Sequence, residues 1–162
     1  MGLQIMAHPY QLDRQGWQLL RLLQENARQT FRHIGDVIGL TAPAVAERIN
    51  RLEEAGVIRG YYADVDLTKA GLTVQAFIHL TTNSQQSARF RKAVNDMPEV
   101  MECHCVTGIE SYILKVAVSS VPRLEHMLMA LKDYGEVRTS VVLSAQITRR
   151  VIDVAMLQHG ES

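Results

Sequence analysis

The sequence predicts an α+β protein in two parts. An N-terminal winged helix-turn-helix occupies residues 1–60 and a C-terminal ferredoxin-like βαββαβ domain occupies residues 73–162, with a wing and hinge at 61–72 between them. Three observations predict this. Between Leu12 and Ile58, helix caps and stops alternate with apolar residues at helical spacing. From Thr73 onward the apolar period switches in the order strand, helix, strand, strand, helix, strand. The length of 162 residues suits two small domains, and an apolar fraction of 47% is enough for a core.

Residues 1–11 read as a loose lead-in. Asp13 is placed to cap the first helix, with Leu12 before it as a hydrophobic staple. Trp17, Leu19, Leu20, Leu22 and Leu23 make that helix strongly apolar, while Gly16 weakens its propensity. Thr30 caps a second helix, and Gly39 supplies the left-handed residue that ends it. Thr41 caps the third, where Pro43 is tolerated in the first turn, and Ala55-Gly56 stops it. Ile58–Asp66 reads as a strand, in the position of a wing.

In the second part, Val74, Ala76, Ile78 and Leu80 alternate as a strand. Ser87–Met97 reads as a helix with Phe90, Ala93, Val94 and Met97 inward, ended by Pro98. Val100–Val106 and Tyr112–Val118 are strands. Val121–Tyr134 is a helix carrying Leu124, Met127, Leu128 and Leu131, closed by Gly135, and Val137–Ile147 is the last strand. Two helices on one sheet face leave the other free, with alternating residues apolar on both sides, so a homodimer through that face is expected.

Composition excludes several classes. Formal charge is zero, from 17 basic and 17 acidic residues, so any nucleic-acid surface must be a local basic face. No apolar stretch approaches the roughly 20 residues of a membrane span, and no secretory signal is evident, so a cytoplasmic protein is expected. Cys103 and Cys105 point to the same face of a strand as small core residues, with His104 opposite, so the three do not converge on a metal. The other histidines, at positions 8, 33, 79, 126 and 159, have no ligand spacing. No nucleophile motif, P-loop or dinucleotide fingerprint appears, and neither a catalytic residue nor a cofactor is expected.

Two short helices joined by a glycine turn are the parts of a device that puts a helix into the major groove of DNA. On the third helix, Ala42, Val45, Ile49 and Leu52 fall on the buried side, while Pro43, Glu47, Asn50, Arg51 and Glu54 face outward. Asn50 suits adenine and Arg51 suits guanine. Thr41, Ala42, Pro43 and Ala44 lie at the end that normally reaches the bases, with Arg48 and Arg51 placed to hold phosphates. Thr30 and Arg32 open the second helix and complete the expected DNA face. Arg48 flanks the buried stripe, so an ion pair within the domain is its alternative role.

The chain resembles the Lrp/AsnC (leucine-responsive, feast/famine) transcription regulators. The likeness is carried by Leu12-Asp13, Leu19-Leu20 with Leu23, Gly39-Leu40-Thr41, Arg48-Ile49, Arg51-Leu52-Glu53 and Gly56-Val57-Ile58. In the second part it is carried by Val106-Thr107-Gly108 and Tyr112-Ile113-Leu114-Lys115-Val116. The resemblance implies double-stranded DNA as partner, dimers that often build octamers, and a small effector, commonly an amino acid. The effector would bind near Thr107, Gly108, Ile109, Glu110, Ser111 and Tyr112, a stretch that by itself reads equally as a hairpin connection. Glu110 could accept an ammonium group. Ser111 departs from the aspartate usual in the family, Ile109 from a residue frequently acidic or polar, and Gly16 from an acidic one. Sirohaem decarboxylases share the two-part architecture, so an enzyme of that kind, or a ligand sensor that has lost DNA affinity, is the alternative function.

Overall fold

The computed structural model describes residues Tyr10–Gln158. The lead-in before Tyr10, with His8, and the terminal residues including His159 lie outside the described residues. The chain forms two compact units. One runs through Ala63 and resumes at Ile147, and the other is Asp64–Gln146.

The first unit opens with three helices, α1 (Arg14–Glu25), α2 (Phe31–Ile38) and α3 (Ala42–Glu54). Each begins on the residue whose side chain satisfies an otherwise unpaired N–H of the first turn. Asp13 accepts from Gly16 N–H at 2.7 Å, Thr30 from His33 N–H at 3.1 Å, and Thr41 from Ala44 N–H at 3.4 Å. Gly39, with φ 73°, ends α2 in the left-handed conformation. Leu19, Ile34, Val45, Ile49 and Leu52 are buried at the helix crossing, with Leu12, Val57 and Ile58 packed on the margin. Burying such side chains stabilises the unit by about 1.5–3 kcal/mol each. Gly35 is needed for packing rather than for the turn, since a Cβ there would collide with the Leu40 carbonyl.

The expected wing is absent among the described residues. Val57 and Ile58 turn back on α3, both N–H groups donating to Leu52 C=O, and residues 59–66 carry no strand. A ladder needs a second strand, and the described residues of this unit offer none. The segment is tied down by Tyr61, whose hydroxyl donates to Glu53 at 2.8 Å. Partial burial, then the Glu53 carboxylate, push its pKa up to about 12.

Residues from Ile147 onward pack against α1 instead of extending the sheet. The Gln24 amide donates to Ile152 C=O at 3.0 Å and accepts from Ile152 N–H at 2.9 Å, while Arg149 donates to Gln24 C=O at 3.2 Å. A short helix, α6 (Ala155–Gln158), closes the described chain. The expected single domain over 73–162 therefore ends near Gln146, because backbone groups beyond it find partners on α1.

The second unit is β1 (Val74–Thr81), α4 (Ser84–Ala93), β2 (Val100–Cys105), β3 (Tyr112–Val118), α5 (Val121–Leu131) and β4 (Glu136–Val141). The sheet is antiparallel with order β2-β3-β1-β4, the ferredoxin-like arrangement. Ala76, Ile78 and Leu80 from β1 and Leu114, Val116 and Val118 from β3 meet Phe90, Leu124, Met127 and Leu131 from the helices. Helix α4 starts three residues before the expected Ser87, because Asn83 caps it by accepting from Gln86 N–H at 2.9 Å. The last strand stops at Val141, short of the expected Ile147.

The open sheet face is mixed rather than apolar. In register across it run Arg138, His79, Ile113 and His104, then Ser140, Phe77, Lys115 and Glu102. Glu102 accepts from Lys115 at 3.1 Å and stands 3.0 Å from the His104 ring, and first His104, then Lys115, hold its carboxyl below the usual range. The two cysteines also depart from expectation. Both share the helix-facing side with their register partners Leu114 and Tyr112, yet both are exposed. They sit on the edge strand, whereas α5 packs over β1 and β3.

Candidate nucleic-acid interface and effector loop

The outward face of α3 is as the helical period requires. Pro43, Glu47, Asn50, Arg51 and Glu54 are exposed, and Val45, Ile49 and Leu52 are buried beneath them. Thr41 is exposed, and Ala42 and Ala44 are half-buried, at the N-terminal end of the helix. The exposed N-termini of α2 and α3 both present backbone N–H groups and the positive end of a helix dipole, which favour phosphate. Thr30 and Thr41 spend a lone pair on capping, but their hydroxyl protons stay available to an acceptor. Arg32 is exposed in the first turn of α2 and has no carboxylate partner among the described residues.

The two arginines of α3 have different surroundings. Arg51 pairs with Glu47 one turn back, and both are mostly exposed, the arginine side chain at 65%. Arg48 is drawn inward. Its guanidinium donates to Asp13 Oδ1 at 3.0 Å and to Gln15 Oε1 at 3.2 Å, and the nitrogen that serves Gln15 also lies 2.9 Å from Asp13 Oδ2. The Gln15 amide donates in turn to Ile38 C=O at 3.2 Å, one of the orphan carbonyls ending α2. The Arg48 hydrogen bond first, then Gly16 N–H, hold the Asp13 carboxyl below its ordinary value. Of the two roles the sequence left open for Arg48, the ion pair within the domain is the one observed. Nothing in the local pattern named Gln15 as its second acceptor.

The loop between β2 and β3 is anchored at its ends and open at its tip. Ser111 N–H donates to Leu80 C=O at 2.9 Å, and Val106 N–H donates to Ser111 C=O at 3.1 Å. The Ser111 hydroxyl closes a reciprocal pair with the backbone of Thr82. Thr107, Gly108 and Ile109 are exposed, Ile109 at 80%, and Gly108 has φ 116°, a conformation that favours glycine. Glu110, a possible acceptor for an ammonium group, is paired with Arg138 of β4. Tyr112 departs from the expected effector set. It is 4% exposed, its ring lies 4.8 Å from that of Phe90, and its hydroxyl is 2.8 Å from the Ser87 hydroxyl, so the core claims it.

A three-helix unit with an exposed third helix, followed by a βαββαβ unit with an open loop, defines a class: helix-turn-helix proteins carrying a separate ligand-binding domain. Residues 12–53 match the AsnC-type helix-turn-helix domain, and residues 75–152 match the Lrp/AsnC ligand binding domain. The chain is 37% identical over 134 residues to the uncharacterized HTH-type transcriptional regulator YezC of Bacillus subtilis, covering 83% of this chain and 95% of that one. It superposes on B. subtilis LrpC with a TM-score of 0.82 at 28% identity, covering 86% of this chain and all of that one. On the Neisseria meningitidis transcriptional regulator NMB0573, solved as a complex with L-Met, the TM-score is 0.84 at 26% identity, covering 91% and 99%. The chain belongs to the Lrp/AsnC family, and it is a DNA-binding transcription regulator. Among the described residues no helix is long and apolar enough to cross a membrane.

Proposed function

We propose that the protein is a cytoplasmic, non-catalytic, effector-responsive regulator in which α3 is the recognition helix. The observation that carries this reading is the outward strip Pro43, Glu47, Asn50 and Arg51 beside the exposed, capped N-termini of α2 and α3. Thr41, Ala42, Pro43, Ala44 and Asn50 meet base edges, while Thr30, Arg32 and Arg51 hold phosphates, with Glu47 setting how free Arg51 is. The chain assembles as a homodimer through the open sheet face, where Phe77 is 40% exposed and Ile113 half-buried, and dimers build octamers. Each dimer then presents two α3 helices to half-sites about one helical turn, or a multiple, apart.

The effector is a free amino acid bound beside Thr107–Ser111. The Arg138–Glu110 pair supports this, because an amino acid carries a carboxylate for the arginine and an ammonium for the glutamate. The L-Met complex of NMB0573 makes methionine the first ligand to try. Effector binding shifts the assembly equilibrium and through it DNA affinity.

Binding of the purified protein to DNA upstream of its own gene, at two salt concentrations with nonspecific competitor, tests the reading. Competitor-resistant, salt-sensitive binding is expected. Equal weak binding to that fragment and to random DNA, persisting with amino acids present, would favour a ligand sensor without DNA affinity.

A further inference from the structure

We propose that Arg48 is a positioning residue and not a DNA contact. Clasped by Asp13 and Gln15, it sets the angle at which the recognition helix leaves the domain. The inference deepens the reading of α3 given above and rests on it. The links from Arg48 to Asp13 and Gln15, and from Gln15 to Ile38, join different helices by directional bonds. Asp13 caps α1 with Oδ1, accepting from Gly16 N–H at 2.7 Å, and presents both oxygens to the α3 guanidinium. Gln15, on the first turn of α1, bridges that guanidinium to the last turn of α2 through Ile38 C=O. One side chain of α3 is thereby fixed to the start of α1 and, through an amide, to the end of α2.

The geometry separates Arg48 from Arg51. A planar guanidinium that meets a carboxylate with two nitrogens is held in orientation as well as in place. Both arginines are ion-paired, Arg51 with Glu47 and Arg48 with Asp13, but Arg48 is also held by Gln15, so it is less free to turn to a phosphate. Its side chain is 34% exposed, against 65% for Arg51. A lysine at position 48 would keep the charge but could not span both Asp13 oxygens and Gln15 together. A tilt of α3 shifts every base contact at once, whereas phosphate contacts on flexible side chains follow the backbone. Losing the clasp therefore costs sequence discrimination more than it costs attraction to DNA.

The test uses the full-length protein and a duplex that it enriches from a random pool, with an unselected duplex as the nonspecific reference. Affinity for both is measured across salt for the wild type, Arg48→Ala, Arg48→Lys, Gln15→Ala, the Arg48→Ala/Gln15→Ala pair and Arg51→Ala. Loss of the clasp is expected to cut specific affinity about tenfold or more, to leave nonspecific affinity within about twofold, and to leave the salt slope unchanged. Lysine should fail to rescue, and the double variant should be no worse than Arg48→Ala, since the two residues act as one unit. Gln15→Ala keeps the charge and the Asp13 pair, so it reports on the clasp even if Arg48→Ala folds poorly. A slope reduced by about 0.9 in Arg48→Ala, equal weakening on both duplexes, or rescue by lysine would overturn the proposal. If the wild type enriches no duplex, the reading of α3 falls as well. If it enriches one and only the Arg48 series behaves as a phosphate contact, the positioning role alone is lost.

Discussion

Ser111 and Thr82 hold each other by a reciprocal pair of hydrogen bonds. The Ser111 hydroxyl accepts from Thr82 N–H at 3.1 Å and donates to Thr82 C=O at 3.2 Å. A single hydroxyl does this because it is donor and acceptor at once. The pair joins the end of the effector loop to the turn between β1 and α4, where Thr82 also donates its own hydroxyl to Tyr134 C=O at 2.6 Å. Aspartate, usual here in the family, could accept from the N–H but would set a carboxylate against the carbonyl. Ser111→Ala should destabilise the second unit by about 1–2 kcal/mol, and Ser111→Asp should not restore the loss. Urea unfolding of both variants checks this, and a Ser111→Asp midpoint equal to wild type would refute it.

The Glu47–Arg51 pair predicts a variant that binds DNA more tightly. Glu47 faces outward, repels phosphate, and neutralises the arginine one turn on. Glu47→Gln removes the negative charge while keeping size. Nonspecific DNA affinity at low salt should rise severalfold, and the salt slope should steepen by up to about one phosphate's worth, ~0.9. Titration at several salt concentrations measures both; a weaker or flatter response would show that Glu47 itself contacts the DNA.

The clip on Gln24 governs access to the C-terminal segment. The Gln24 side chain bonds to both backbone groups of Ile152, donates as well to Leu20 C=O at 3.1 Å, and its backbone carbonyl receives Arg149, while Asp153 and Val154 line a cleft with Trp17 and Arg21. Gln24→Ala removes the two bonds that hold Ile152, at about 1 kcal/mol each. Trypsin cleavage at Arg149 and Arg150 should then accelerate by up to about thirtyfold, because cleavage follows the population of the open segment. An unchanged rate would mean that other contacts hold the segment.

Asp13 predicts an acid-side loss of stability. Its folded pKa lies below the ordinary 3.8, chiefly through the Arg48 hydrogen bond. A depressed carboxylate stabilises the fold above its unfolded pKa and loses that contribution as pH falls through the folded value. Asp13→Asn keeps a capping side chain but not the charge. The melting-temperature gap between wild type and variant should be constant from neutral pH to about 5 and close below about 3.8. A gap that persisted at the lowest pH would assign it to the cap and not to the ion pair.

The helices and strands were legible in the sequence because their signals are local. Asp13, Thr30, Thr41 and Gly39 act within one turn, and the stripe Val45, Ile49 and Leu52 repeats with the helix itself. Alternation fixed the inward row of β1 in the same way. The outward strip of α3 follows from that stripe, so the candidate recognition surface could be located without a structure.

Only the tertiary structure decided what depends on partners distant in the chain. Arg48 and Arg51 are equivalent as residues on a helix, and Asp13 and Gln15, on another helix, divide their roles. Cys103 and Cys105 share a side with core residues, but strand order puts them at an edge. The last strand reads to Ile147 in the sequence but stops at Val141, and Ile152, 128 residues from Gln24, finds its backbone partners on α1. Caps and periods bind a residue to its near neighbours, whereas ion pairs and strand edges depend on which distant surfaces the fold brings together.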